Sequence, residues 1–431
     1  MNVEKNNKIK NSLLATKARR ENQRCVVFTN KLDKSHLSKE KLDKLKILFI
    51  QSKQLYNHLL SESENGESIF DINPLINEVN VRNKDKVFEK RKIDIGSQIK
   101  QSIWNRMLNS ITSLSKLKEN GRKVGKLKYK SEVNSIPLKQ YGITYKIKKN
   151  YLSIQKLKYS FKVNGLKQIP ANAEFANAVL TKKNDDFYLK TTVFLPKEEK
   201  VFEKESVGID FGIATTITLS TGEKFNIKVP ENKRTQKLRR RLSRKIGGQK
   251  GVRKSKSYKK NLSLVNKSVE KTSNIKKDER NKAVSKIVNK YECICVQDEN
   301  IKGWKDTKFG KEVHNSALGG IMSDLKRKSH TLLTVPRYFQ STQLCEDCFH
   351  LNKIPLDVRT YECKFCGDFH PCRDINAAES NEDVAMGRID IDSIPTEYRD
   401  LKIQVEECAA TNRKIRKHIP VKPEAHDFSR G

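Results

Sequence analysis

The sequence predicts an α/β layer fold with a mixed sheet in the second half of the chain, preceded by a smaller β domain with a helical insert. Three features lead to this prediction. Apolar residues at helical spacing dominate the first third, short β-like runs fill residues 123–196, and strands alternate with helices after residue 206. Strands that alternate with helices are typical of a sheet covered by helices.

The first half of the chain begins with a polar, basic segment, 1–22, which we expect to be a disordered tail. The run CVVFT then predicts a strand, and helical patterns follow, including one over Gly96–Lys118. Later runs such as YLSIQ and FYLKTTVFL are typical of strands. These patterns predict a small β-barrel or sheet over 23–200, with a helical insert at about 36–122.

The second domain, 201–382, opens with the strand SVGIDFG and a β-meander. Helices lead to the apolar strand CICV, and a further helix, the strand LLTV, a cysteine-rich insert at 341–371 and a last helix from Asp374 complete the domain. Three strands, a helix, a strand, helices, a strand and a helix form the order of the ribonuclease H fold, an α/β architecture. Residues 383–431 are expected to form a C-terminal tail.

The formal net charge of +37 is the strongest feature of the composition. A chain this positive repels itself unless a polyanion neutralises it, so nucleic acid is the expected partner. No window approaches the roughly 18 apolar residues of a membrane span, and the polar start lacks the apolar core of a secretory signal. We therefore expect a cytoplasmic protein without a membrane partner, whose nine cysteines bind metal or remain thiols.

Two aspartates stand out in so basic a chain. Asp210 lies within the apolar strand VGIDFG, where a carboxylate must be paired, bound to a ligand or costly, although a turn-capping role is equally open. Asp374 lies at the start of the last helix, where an isolated acid is often only a cap or a partner of the helix dipole. Nuclease chemistry on this fold requires carboxylates from separated segments to hold two Mg²⁺ ions about 4 Å apart.

The segment ICVQDENIKGW contains the candidates for a third carboxylate. Residues two apart share one face of a strand, so Gln297 and Glu299 point the same way and Asp298 points the other way. Glu299 can then occupy nearly the space of an acid at 297, one pleat further out. The alternative is that these residues form only a polar strand end.

Two cysteine pairs, Cys345-x2-Cys348 and Cys363-x2-Cys366, are separated by 14 residues. This is the spacing of a ribbon that binds one tetrahedral Zn²⁺ ion. Four thiolates close the coordination sphere, so the predicted site is structural, and it would order the segment that carries the last acid. The neighbouring residues His350, His370 and Cys372 are not needed as ligands.

The stretch from Lys233 to Lys260 holds 14 Lys or Arg residues and no acid. It is either a solvated helix face or a surface that contacts nucleic-acid phosphates. The residues we expect to contact nucleic acid there are Lys237, Arg239, Arg240, Arg241, Arg244 and Lys245. Trp304 is a candidate for stacking on a base or sugar, and a core position is about equally open.

The motifs VGIDFGIATTITLSTGEKF, ICVQDENIKGW and TQLCEDC…YECKFCG…CRDINAAESN occur in the order and spacing of the RuvC motifs and zinc ribbon of the TnpB/OrfB family, which they resemble. ALGGIMSDLKRK and EAHDF also fit this family of insertion-sequence proteins, which is related to the type V CRISPR effectors. The resemblance is strong over 206–382. Over 20–200 it is weaker, and implies a wedge β-barrel with a helical recognition insert.

This resemblance implies an RNA-guided DNA endonuclease, active in the prokaryotic cytoplasm at the nucleoid, with guide RNA from its own locus and a double-stranded DNA target. It carries Asp210 and Asp374 over directly as catalytic ligands of two Mg²⁺ ions. Many relatives have Glu where Gln297 stands, and we predict that Glu299 supplies the middle acid. If neither does, the protein would be a nuclease-dead RNA-guided repressor; a guide-free zinc-ribbon DNA-binding transposase is the third alternative.

Overall fold

The computed structural model describes residues 2–64, 69–82, 87–245, 254–355 and 357–418. The chain divides into two compact units, Met1–Glu199 (unit 1) and Lys200–Gly431 (unit 2). Within the described ranges, no helix combines the length and the apolar character that crossing a membrane requires.

Unit 1 consists of short sheets and a helical insert. Its elements are α1 (Asn2–Glu21), β1 (Gln23–Lys31), α2 (Lys39–Glu64), β2 (Glu78–Arg82), β3 (Phe88–Lys92), α3 (Ser97–Glu119), β4 (Ser135–Leu138), β5 (Tyr145–Lys148), β6 (Tyr151–Ile154), β7 (Ser160–Lys162), β8 (Glu174–Lys183) and β9 (Asp186–Pro196). The insert between β1 and β4 contains α2 and α3, where the sequence places helices, and also the hairpin β2–β3, which it does not predict. Both helices bury one apolar stripe, including Leu48, Leu55 and Ile99.

The strands of unit 1 form an antiparallel sheet in the order β1-β9-β8-β4 and a three-stranded sheet β5-β6-β7. A single bridge between Leu32 and Val163 connects the two regions. Among the described residues, no ladder closes these strands into the predicted barrel. Strands β4 to β7 are only three or four residues long, which limits how far a ladder can extend around a closed ring.

The sequence predicts a disordered tail over 1–22, and the structure instead has helix α1 over Asn2–Glu21. The segment contains neither proline nor glycine and is rich in residues that tolerate a helix. Near its end, Arg19 forms a two-pronged ion pair with Glu174, with nitrogen–oxygen distances of 2.8 and 3.0 Å. The charge that suggested a solvated tail is therefore carried on a helix.

Unit 2 contains one large sheet with helices on both faces. Its elements are β10 (Lys204–Asp210), β11 (Ile217–Leu219), β12 (Lys224–Phe225), α4 (Lys233–Ser243), α5 (Lys256–Lys290), β13 (Tyr291–Gln297), α6 (Ile301–Lys305), α7 (Gly310–Ser316), α8 (Leu318–Lys328), β14 (Thr331–Val335), β15 (Tyr361–Glu362), β16 (Phe369–His370), α9 (Arg373–Met386) and α10 (Arg399–His418). The sheet order is β12-β11-β10-β13-β14, with β10, β13 and β14 parallel and β11 and β12 antiparallel. This is the ribonuclease H arrangement that the element order predicts.

Alternation along β13 divides the core of unit 2 between the two faces of the sheet. Ile294 and Val296 pack with α5 and α8, whereas Cys293 and Cys295 pack with α9 and α10. A helix after Met386 was not predicted, because residues 383–431 were expected to be a tail. In α10, however, Leu401, Val405 and Cys408 recur at helical spacing and are buried in this core. Residues 419–431, including the motif EAHDF, lie outside the described ranges.

Helix α9 lies unusually close to β10. A Cβ atom at Gly208 would stand 1.8 Å from the carbonyl oxygen of Ala378, so only glycine fits there. Asn381 donates from Nδ2 to the carbonyl oxygen of Ile209 at 3.2 Å, and the Gly208 N–H donates to Glu382 at 3.0 Å. These contacts fix the helix that begins at Arg373 against the strand that ends at Asp210.

Candidate active site and metal centre

The three predicted acids lie at one edge of the unit 2 sheet. Asp210 is the last residue of β10, Glu299 follows the neighbouring parallel strand β13 by two residues, and Asp374 lies in the first turn of α9. The carboxyl ends of adjacent parallel strands are where ligand sites form in α/β sheets. Asp210 and Asp374 are each only 9% exposed, and Glu299 is half-buried.

The charges of Asp374 and Glu299 both act on Asp210. Burial, followed by the charges of Asp374 and Glu299, raises the pKa of Asp210 to about 7. Burial and the charge of Asp298 also raise the pKa of Glu299. Mutually repelling acids in a buried place are stabilised by a cation. Within the described residues, their oxygens do not gather as a set inside 4.8 Å, so the acids are spread over a wider site than the cysteine cluster below.

The side chain of Gln297 makes four hydrogen bonds to the segment that follows β14. Its buried Nε2 donates to the carbonyl oxygens of Pro336 at 3.2 Å, Arg337 at 3.1 Å and Phe339 at 2.7 Å. Its Oε1 accepts from the Ser341 hydroxyl at 3.2 Å. An ionised carboxylate has no hydrogen to donate, so an acid could not make the first three bonds. Gln297 therefore anchors the loop after β14 instead of facing an open cation site.

Asp374 is paired with an arginine that the sequence did not single out. Nη1 of Arg359 lies 2.8 and 3.1 Å from the two carboxylate oxygens of Asp374. Nη2 of the neighbouring Arg373 is 3.8 Å from one of them. Arg359 belongs to the segment between the two cysteine pairs, and its carbonyl oxygen accepts from the Arg373 N–H at 2.8 Å. A cationic side chain thus stands against the acid where a metal ligand is predicted.

The four cysteines of the predicted ribbon converge. The sulfur ligand atoms of Cys345, Cys348, Cys363 and Cys366 all lie within 4.8 Å of one another. The Cys345–Cys366 and Cys348–Cys363 sulfur pairs are 3.7 and 3.6 Å apart. Four sulfurs about 2.3 Å from a tetrahedral metal would stand about 3.8 Å apart. The cluster can therefore hold one metal ion.

Two neighbours of the cluster, His370 and Asn352, contact its sulfur atoms. Nε2 of the buried His370 lies 3.2 Å from the Cys345 sulfur, and Asn352 donates to the Cys363 sulfur at 3.3 Å. Burial opposes ionisation of Cys363, but backbone N–H groups of Cys366 and Phe365 outweigh it and lower the pKa of this thiol to about 6. A thiolate is the form that binds metal.

The predicted nucleic-acid residues lie on and just after α4. Lys237, Arg239, Arg240, Arg241 and Arg244 are exposed. Lys245 is half-buried and donates to the Ser257 hydroxyl at 2.9 Å, while Arg239 pairs with Glu231 at 2.6 Å. Residues 246–253 of the basic stretch lie outside the described ranges. Trp304 is half-buried and packs against the core of unit 2, which favours the core position for this side chain.

Comparisons with known proteins agree with the sequence motifs. Residues 180–308 match the model of the OrfB_IS605 family, described as "Probable transposase". A protein of Streptomyces pristinaespiralis described as "Putative RNA-guided DNA endonuclease" is 30% identical over 184 residues, which cover 41% of this chain and 44% of that protein. The chain therefore matches less than half of this relative's length.

Two solved structures align with parts of this chain at low sequence identity. One is a Cas12f1–sgRNA–target DNA complex, with a TM-score of 0.45 and 14% identity over 80% of this chain and 82% of that chain. The other is CasPhi-2 (Cas12j) bound to crRNA, with a TM-score of 0.32 and 11% identity over 53% of this chain and 60% of that chain.

Proposed function

Since the chain is TnpB-like, with its motifs and the OrfB family match over 180–308 in agreement, we propose that it is an RNA-guided DNA endonuclease. It would hydrolyse DNA phosphodiesters at a RuvC site made of Asp210, Glu299 and Asp374. The guide RNA would come from its own locus, and the target would be double-stranded DNA. Sequence specificity would then rest on base pairing, while the basic protein contacts phosphates.

The observation that carries this proposal is that Gln297 holds a loop by hydrogen bonds, whereas the charge of Glu299 acts on Asp210. The amide nitrogen of Gln297 donates hydrogen bonds to three carbonyl oxygens in the loop after β14. The charge of Glu299, in contrast, acts on Asp210 together with that of Asp374. Both observations support Glu299 as the middle acid, two residues later than in many relatives.

The acids fit a divalent cation, because three buried or half-buried carboxylates with a raised pKa at Asp210 require positive charge. Two Mg²⁺ ions would activate a water molecule and stabilise the leaving oxygen. Asp210 and Asp374 would hold the ions from β10 and α9, whose separation is fixed by the contact of Gly208 with Ala378. Glu299 would complete the ligand set, and Arg359 would have to leave Asp374 for a cation to bind there.

We assign the metal of the cysteine cluster as one structural Zn²⁺ ion. The sulfur spacings suit a tetrahedral ion, and the four protein ligands leave no open position. The ribbon stands between β14 and α9, so its folding orders the segment that ends at Asp374.

The test is cleavage of a guide-matched double-stranded DNA in Mg²⁺ by protein purified with RNA from its own locus. Glu299→Gln should reduce cleavage at least about 100-fold while target binding persists. Asp298→Asn is the matched control, since that acid is paired with Arg337 at 2.7 Å and should not be needed. Undiminished cleavage by Glu299→Gln would refute the site. Binding without cleavage by the wild type would instead identify a nuclease-dead repressor.

A further inference from the structure

A cleft of about 740 Å³ lies in unit 2, and none of the three acids lines it. Its walls come from the loop before α4, one face of α5 and the segment from the end of α6 to the start of α8. This volume lies within the range of about 300–1,000 Å³ that small-molecule sites occupy. The cleft is concave, so a paired and stacked duplex cannot fill it.

The lining of the cleft is strongly cationic. Its basic side chains are Arg239, Lys276, Arg280, Lys305 and Lys311, and its one acid is Glu231. Arg239 pairs with Glu231, and Arg280 pairs with Asp324 at 2.8 Å. Lys276 donates to the carbonyl oxygen of His314 at 2.7 Å. Within the described residues, Lys305 and Lys311 form no ion pair, so they are available to an anion.

The start of α8 adds backbone donors to the same cleft. Its N-cap, Ala317, has a φ of 59° and supplies no side-chain cap. Gly319 and Gly320 follow and also line the cleft, and a Cβ atom at Gly319 would meet only Ile301, at 3.9 Å. The Gly320 N–H donates to the carbonyl oxygen of Ala317 at 2.8 Å, which leaves the N–H groups of Leu318 and Gly319 for a phosphate. Because Gly319 has no side chain, a phosphate can approach them closely.

Apolar side chains form the remainder of the wall, among them Val229, Pro230, Val269 and Val313. A phosphate alone would not need them, whereas a nucleoside presents an apolar face. Gln236 and Asn315 line the same space and can hydrogen-bond to a base edge. The cleft therefore offers cationic groups to a phosphate, an apolar wall to the face of a base and amide groups to its edge.

We infer that this cleft holds one unpaired nucleotide of a bound nucleic-acid strand. The two lysines and the start of α8 bind its phosphate, and the apolar wall contacts its base. This inference rests on the proposed function only for the source of the strand, which is the guide RNA or the target DNA; the chemistry of the nucleotide is shared by both.

The test uses the full chain and eight-nucleotide single strands of one sequence, with one 4-thiouridine in the RNA or one 4-thiothymidine in the DNA. Irradiation forms crosslinks, which mass spectrometry assigns to peptides. The wild type should crosslink within 305–320. In the double variant Lys305→Gln/Lys311→Gln, the yield of crosslinks within 305–320 should fall at least about five-fold. Lys302→Gln/Lys308→Gln removes the same charge from lysines outside the cleft and should retain it.

Gly319→Leu fills the cleft without changing the charge, and it should cause the same loss, with its folding verified by circular dichroism. Crosslinking of RNA alone identifies the guide as the source, and crosslinking of DNA alone identifies the target. Equal losses in the cleft and control double variants, or wild-type crosslinks that avoid 305–320, would overturn the inference. These outcomes are independent of cleavage, so a protein that binds the nucleotide but never cuts DNA would refute only the proposed function.

Discussion

The amide nitrogen of Gln297 lies 2.7 Å from the carbonyl oxygen of Phe339, and this bond joins the end of β13 to the loop after β14. Two further carbonyl oxygens, of Pro336 and Arg337, accept from the same nitrogen. The position at which many relatives have an acid is thus used here to hold a loop, and the charge of Glu299, two residues later, contributes to the raised pKa of Asp210.

Replacing Gln297 with glutamate should destabilise the protein and should not improve cleavage. The carboxylate would leave three carbonyl oxygens without a donor and add a charge beside Asp210. We expect a loss of about 3 kcal/mol in the free energy of unfolding at pH 8, measured by urea denaturation. Glu299→Gln is the control and should not be destabilised. Wild-type stability with faster cleavage in Gln297→Glu would mean that 297 is a ligand position.

The metal-free protein should gain stability from Asp210→Asn at alkaline pH. The folded-state pKa of Asp210 is raised to about 7, so its contribution to stability is complete below its unfolded value near 4 and is lost as pH rises through about 7. The difference between variant and wild type should therefore be small below pH 4, about 1.5 kcal/mol at pH 5 and up to about 4 kcal/mol above pH 7. Thermal unfolding in a chelating buffer measures it. A difference that does not change with pH would contradict the raised pKa.

Arg359→Gln should tighten binding of divalent cations in the absence of DNA. Nη1 of Arg359 contacts both oxygens of Asp374, so the cation must displace it. We expect Mn²⁺ affinity to rise about ten-fold by calorimetric titration, since an ion pair of this kind contributes on the order of 1 kcal/mol. Arg327→Gln removes an arginine from Asp324, which is not a predicted ligand, and should leave the affinity unchanged. Equal affinities in wild type and Arg359→Gln would show that the pair does not compete with metal.

The cysteine cluster should bind one metal ion per chain through four thiolates. Cobalt(II) substitution should give the absorption bands of a four-thiolate site, and Cys363→Ser should lose the ion and lower the melting temperature. His370→Gln should keep both the ion and the four-thiolate spectrum, because His370 is a neighbour of Cys345 and not a ligand. A spectrum that changes in His370→Gln would assign the histidine to the coordination sphere.

Gly208→Ala should destabilise the protein far more than the addition of one methyl group usually does. The added methyl group would meet the backbone of Ala378 at 1.8 Å, and a helix backbone cannot rotate away as a side chain can. We expect a loss of at least about 3 kcal/mol in unfolding free energy, together with lost metal binding. Gly125→Ala, at a site with no atom within 4 Å, is the control and should be neutral. Similar stabilities of the two variants would contradict the close packing.

Much of unit 2 could be predicted because its strands are apolar runs with clear boundaries. The strand ending at Asp210, the strand CICVQ and the helix that carries Asp374 were all anticipated from local pattern. The spacing of the cysteine pairs also predicted their convergence, since each short pair restricts its own sulfurs.

The rest depends on contacts between distant segments. Nothing near Arg359 indicates its contact with Asp374, because the ribbon must fold before the two side chains meet. The role of Gln297 likewise depends on carbonyl groups some forty residues away. Composition was misleading for α1, because basic residues occur in exposed helices as well as in disordered tails. In α10 the apolar stripe is present in the sequence but is short, and the sequence therefore predicts only a tail there.

The position of the ribbon has a practical consequence. The ribbon is inserted directly before α9. Within it, the carbonyl oxygen of Arg359 accepts a hydrogen bond from the N–H of Arg373, the residue before Asp374. A chelator that removes an ion from the cysteine cluster would therefore loosen the segment that positions Asp374 without binding to Asp374 itself. Under the proposed function, occupancy of the cysteine cluster would then control how completely the predicted nuclease site is assembled, and restoring the ion would restore that assembly.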